Sequence, residues 1–130
     1  MSKFEQNFKA KYGDTGEAFV QKWVNGLESG KIKRIGGALN NGNGMCCLGL
    51  ACDILAEDGL VSKKVLASGT VHYSNEHEMP TDTVQKVIDS LLNRHTDCTH
   101  LASRNDEGRT FKKTAAVIRT AMKKQGIILK

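Results

Sequence analysis

"NNGNGMCCLGLACDILAEDG", Asn40 to Gly59, changes character at Cys46. Its first part is asparagine and glycine, residues that tolerate positive φ and favour tight turns. From Cys46 onward Cys47, Leu48, Ala51, Cys52 and Leu55 fall on one helical face, with Leu50 and Ile54 beside it. The predicted helix is therefore apolar over most of its girth, and such a helix belongs at the centre of a fold, packed on more than one side. Gly49 lies in its first turn, where a missing side chain lets another backbone approach closely.

Upstream, "EAFVQKWVNGLESG" sets Val20, Trp23, Val24 and Leu27 at i, i+3, i+4 and i+7, the spacing of one helical face ended by Gly30. Phe4, Phe8 and Tyr12 recur four apart in a first helix, and "GDTG" separates the two, with Asp14 or Thr15 as the expected cap of the second. The glycine-rich "KIKRIGGALNNGNGM" abandons this period and is read as a short strand from Ile32 to Leu39 followed by a turn. Downstream, "VLASGTVHYSNEHEMP" has the β-branched and aromatic content of a hairpin around a Ser-Gly turn. "TDTVQKVIDSLLN" presents Val84, Val87, Ile88, Leu91 and Leu92 as a helix face. "RHTDCTHLASRNDEG" reads as a polar surface connection. A last helix aligns Phe111, Ala115, Ile118 and Met122, with Thr110 as its cap and Gly126 as its stop. The expectation is a single domain over residues 1–130, α+β and mostly helical, with about five helices and a few short antiparallel strands.

With 39% hydrophobic and 25% charged residues and one proline, the composition is that of a folded chain rather than a disordered one. No segment approaches the roughly 20 apolar residues of a membrane span, and the start lacks the apolar core of a signal peptide. The expected location is the cytoplasm, where cysteines are free, metal-bound or catalytic rather than paired. The net charge of +5 is uneven: residues 101–130 carry eight basic groups against Asp106 and Glu107, whereas the first hundred carry 11 basic and 12 acidic. The last segment is thus the expected surface for an anionic partner.

Several pieces together resemble a family of small uncharacterised proteins of phages and bacteria. These are "WVNGLESG", "GGALNNG", "MCCLGLACD", "MPTDTV" and "RNDEGRTF", matching in order a Trp-containing helix, a "G-x-L" strand, a "CCLG-x-x-C-D" helix start, an "L-P" helix and an "N-D-x-G-x-[ST]-F" segment. Lys112 and Lys113 depart from the pattern by making the start of the last helix basic. The resemblance implies a fold and a phage setting, with the host cytoplasm as the compartment, but no activity.

Three chemistries are then open to the residues. A thiol at a helix N-terminus is favoured as thiolate by the macrodipole, as in small cysteine peptidases whose central helix opens on "C-S-G". Cys46 or Cys47 would then be the nucleophile of a hydrolase, with His72, His77 or His100 as base. A zinc site would draw on Cys47, Cys52, Cys98 and His100, with Cys46 and His95 as alternates, although Cys47 and Cys52 stand five positions apart on a predicted helix rather than on a knuckle turn, and Cys46 points elsewhere. Against both, buried free cysteine behaves as a small hydrophobe, and packing is the preferred reading. The preferred ligand site is instead Asn105, Asp106, Arg109, Thr110, Lys112 and Lys113, around a helix N-terminus with free N–H groups and positive charge. The function expected on this reading is a non-enzymatic, phage-type accessory or counter-defence protein, without cofactor. It sequesters an anionic, nucleotide-like ligand or a host protein, as a monomer or a homo-oligomer. The cysteine hydrolase is the alternative, and a protein that grips the nucleic-acid backbone comes third, since most aromatic residues sit on core faces and few remain for base stacking.

Overall fold

The computed structural model describes residues 2–130. Six helices and one two-stranded ribbon follow in the order α1 (Lys3–Tyr12), α2 (Glu17–Glu28), α3 (Cys47–Glu57), β1 (Lys63–Val65), β2 (Val71–Tyr73), α4 (Asp82–Leu91), α5 (Cys98–Asp106) and α6 (Phe111–Lys123). The architecture is α+β and mostly helical, as the apolar periodicity requires. No helix of the described residues is long and apolar enough to cross a membrane.

α3 is the central element: it packs on α2, α5 and β2, and every residue from Cys47 to Leu55 is buried. Gly49 explains how it comes so close to the chain before it. A Cβ at this position would stand 1.7 Å from the carbonyl oxygen of Leu39, so only glycine admits that backbone. The contact is held from both sides, because Cys46 N–H donates to the same Leu39 carbonyl at 3.0 Å and Leu39 N–H donates to His77 O at 2.7 Å. Trp23 of α2, fully buried, donates Nε1–H to Cys47 O at 2.9 Å. α2 also packs on α1 and α6, and an exposed-rim pair joins Arg119 of α6 to Glu28 of α2 through two bonds of 2.8 and 2.7 Å. At the other end of α2, Tyr12 donates to the Asp58 carboxylate, which Lys22 also meets at 3.2 Å.

Three local expectations need correction. The segment Ile32–Leu39 is not a strand. It is irregular, touching Met45 by single bridges from Arg34 and Asn40, because the Asn41 side chain accepts from Asn43 N–H and Gly44 N–H and folds the chain back within a few residues. The N-cap of α2 is Gly16 in the left-handed region rather than Asp14 or Thr15; Thr15 Oγ1 only accepts from Glu17 N–H at 3.4 Å. The supposed connection at 94–108 contains α5, which raises the helix number to six. Asp97 caps it by accepting from His100 N–H at 2.7 Å, and its end closes through Gly108 N–H to Asn105 O and Arg109 N–H to Arg104 O. Gly108, at φ +89°, supplies the left-handed residue that this closure needs. The hairpin is present, with Lys63, Lys64 and Val65 opposite Tyr73, His72 and Val71.

Candidate functional site

The four thiols come first, because α3 begins on two of them. All four are free and buried. At the helix N-terminus two effects compete: donor N–H groups favour thiolate, and loss of water disfavours it. Burial wins at Cys46, Cys47 and Cys52 alike, pushing each thiol above its ordinary range, and at Cys98 the nearby Asp89 carboxylate adds to it. The donor groups are used within the fold. Gly49 N–H points to Cys46 Sγ at 3.3 Å, so that a sulfur takes the place of the usual capping oxygen, while Cys47 N–H donates to Asn105 Oδ1 at 3.3 Å. Among the described residues no histidine bonds a thiol: His72 and His77 stack on each other with centroids 5.1 Å apart, and His100 is exposed. Cys47, Cys52, Cys98 and His100 are not brought together as a ligand set, and no group of three or more His, Cys, Asp or Glu among the described residues could hold a metal ion.

The ligand site expected around "RNDEGRTFKK" is divided by α5. Asn105 is fully buried and wholly committed: Nδ2 donates to Ile35 O at 2.6 Å, Oδ1 accepts from Cys47 N–H, and its carbonyl accepts from Arg34 at 2.8 Å. It fastens the irregular segment, the start of α3 and α5 to one another. It is a structural bolt rather than a ligand contact, because none of its polar atoms is free. Asp106 accepts from Gly37 N–H at 3.3 Å and faces a cleft of about 310 Å³ that it shares with Cys46, Glu78 and Met79. Thr110 caps α6 by accepting from Lys113 N–H at 3.2 Å, occupying part of the anion-receiving end. Arg109 and Lys112 are exposed, and Lys112 lies near the Glu28 carboxylate, whose pKa is held below its ordinary value mainly by Arg119.

What the structure assembles on the other side of α5 is different. A groove of about 410 Å³ between α5 and α6 is lined by Arg104, Lys113, Lys124 and His95, over a floor that includes Ala116 and Val117, and no carboxylate lines it. Arg104, Lys113 and Lys124 were legible as members of the basic segment 101–130; their convergence with His95 was not, because the four are up to 29 positions apart in sequence and meet only when α5 forms. Three buried side-chain atoms among the described residues lack a hydrogen-bond partner: Thr96 Oγ1, Arg104 Nε and Thr114 Oγ1. Of these Arg104 lines the groove.

The model of a family described as a domain of unknown function, DUF8296, matches residues 17–87. The chain belongs to that family. No curated protein and no solved structure matches it. The matched residues run from the start of α2 into α4, so they include the central helix and the Gly49 contact, whereas α5, α6 and the groove between them lie beyond the matched segment.

Proposed function

We propose that this protein is a non-enzymatic binder that captures an anionic, nucleotide-like ligand in the α5–α6 groove. The observation that carries the reading is the convergence of Arg104, Lys113, Lys124 and His95 on one groove without a carboxylate. The cations suit a phosphate, and the apolar floor at Ala116 and Val117 suits the uncharged part of the same molecule. A guanidinium is preferred to an ammonium for this purpose because its planar fork meets two phosphate oxygens at once. Lys113 and Lys124 would add charge that speeds capture and weakens with salt. The resemblance carried by "MCCLGLACD" and "RNDEGRTF" supplies the setting: a phage-type accessory protein of the host cytoplasm that withholds such a ligand from the cell's defences.

Isothermal titration with AMP, ATP and inorganic phosphate tests this, together with a native mass spectrum for a co-purified ligand. A charged hydrogen bond of this kind contributes about 1.5–3 kcal/mol, so Arg104→Gln should weaken nucleotide binding roughly 10- to 100-fold while the circular dichroism spectrum stays unchanged. Lys113→Glu with Lys124→Glu should act in the same direction. Binding that is unaffected by Arg104→Gln, or lost equally on Arg109→Glu, refutes the site.

A further inference from the structure

The ribbon formed by β1 and β2 has one covered edge and one free edge. Ser74 N–H donates to Ser62 O and Leu66 N–H to Thr70 O, which fixes the bonded positions of the ladder as 62, 64 and 66 on the β1 side. By the alternation of an antiparallel pair, the peptide groups of Lys63 and Val65 point away from β2. On the opposite edge the outward groups of β2 are already used, since Val71 N–H donates to Asn40 O and Tyr73 N–H to Glu76 O. No such backbone bond reaches Lys63 or Val65 from outside the ribbon, and all three residues of β1 are exposed.

The surroundings of this edge have a definite chemistry. Val65 is 63% exposed, one of two large apolar side chains so placed among the described residues. The face that carries Lys63, Val65 and Val71 walls a cleft of about 420 Å³, which Met45, Lys31 and Lys33 help to line and no carboxylate enters. Lys64 projects from the other face of the strand. Lys63 is paired with Asp53 at 2.8 Å, but Lys31, Lys33 and Lys64 have no ion-pair partner among the described residues. Lysines on an edge repel a strand of their own kind, since like charges placed opposite each other are destabilising. A second copy of β1 would therefore be rejected, and a strand carrying carboxylates would be accepted.

We propose that β1 receives an extended, acidic segment of a partner protein as a third strand, with alternate apolar side chains of that segment over the Val65 cleft, between Lys31 and Lys33, and the intervening carboxylates on the opposite face, toward Lys64. The backbone of Lys63 and Val65 supplies the pairing, the lysines select the sign of charge, and the cleft selects one apolar side chain in two. This surface lies apart from the α5–α6 groove and stands or falls independently of it.

The test is a titration of the full chain, labelled with nitrogen-15, with the peptide Glu-Val-Glu-Val-Glu-Val. Shifts should concentrate at residues 31–45 and 63–71, and the amides of Lys63 and Val65 should become protected from exchange. The same peptide N-methylated at alternate residues keeps every charge but cannot pair its backbone, and it should bind at least about tenfold more weakly, as should Lys-Val-Lys-Val-Lys-Val. Val65→Pro, which removes an outward N–H that an edge strand does not need, and Lys64→Glu should each weaken binding similarly. Equal binding of the N-methylated peptide or of hexaglutamate, or no shift at millimolar peptide, overturns the proposal. So does a dimer in sedimentation that Val65→Pro abolishes, since a second copy would then occupy the edge.

Discussion

Gly49→Ala separates two accounts of the central helix by the sign of its effect. If Gly49 were an ordinary glycine in a helix, alanine would stabilise the protein by about 0.5–1 kcal/mol through the unfolded chain and helix propensity. In the folded chain the new Cβ would lie 1.7 Å from Leu39 O, and since ordinary contact begins near 3.4 Å the carbonyl must retreat by about 1.7 Å. That movement breaks the bond from Cys46 N–H at 3.0 Å and strains the one from Leu39 N–H to His77 O, while Leu39 itself is fully buried. Two buried bonds at about 1–3 kcal/mol each, with loss of a leucine's core site at roughly 1.5–3 kcal/mol, sum to a cost of roughly 3.5–9 kcal/mol. This is comparable to the stability of a marginal domain, the typical range being about 5–15 kcal/mol. Urea unfolding followed by the fluorescence of Trp23, the single tryptophan and itself fully buried, reads the outcome. With a slope of about 1–3 kcal/mol per molar, the midpoint should fall by about 1 M or more, or the variant should be unfolded from the start. Gly26→Ala is the control. Its Cβ would meet only the movable end of Leu50 at 2.9 Å, and its midpoint should change little. A Gly49→Ala midpoint equal to or above that of the parent would refute the close approach of Leu39.

Asn105→Ala should cost about 3–5 kcal/mol in the same assay, because it leaves Ile35 O and Cys47 N–H buried without partners and opens a small cavity; a loss under about 1 kcal/mol would mean that the residue is not the bolt described. Glu28 and Asp58 have folded pKa values held below their ordinary ones, by Arg119 and by Tyr12 with Lys22 respectively. Their contribution is therefore present above the ordinary values of 4.5 and 3.8 and is lost as pH falls through the lowered folded values. Glu28→Gln should flatten the acid side of the stability–pH curve, and an unaltered slope would count against the pairing. The four cysteines should react slowly with Ellman's reagent in the folded protein and completely in urea, with Cys46, 6% exposed, the first to yield. Rapid stoichiometric labelling of one thiol in the native state would revive the nucleophile reading.

Local pattern made much of this chain legible in advance. The faces of α2, α4 and α6, the cap at Thr110, the Ser-Gly hairpin and the need for glycine at position 49 are all consequences of periodicity and turn chemistry, which act within a few residues. α5 escaped for a reason visible in its buried side, which is Cys98, Leu101 and Asn105. The spacing is helical, but a polar residue fills the third apolar position, and whether an asparagine is buried depends on partners such as Ile35, 70 positions away. The same cause divides the expected cluster: "RNDEGRTFKK" reads as one polar stretch, yet a helix turns successive residues to different sides. Arg104 and Lys113 therefore face one groove, while Asn105 and Asp106 face α3 and the Gly37 loop. The sequence by itself determined five of the six helices, the hairpin, the central place of α3 and the basic character of the last segment. Only the tertiary structure decided which cations converge, which thiols lose water and which strand edge stays free, because convergence, burial and edge exposure depend on residues distant along the chain.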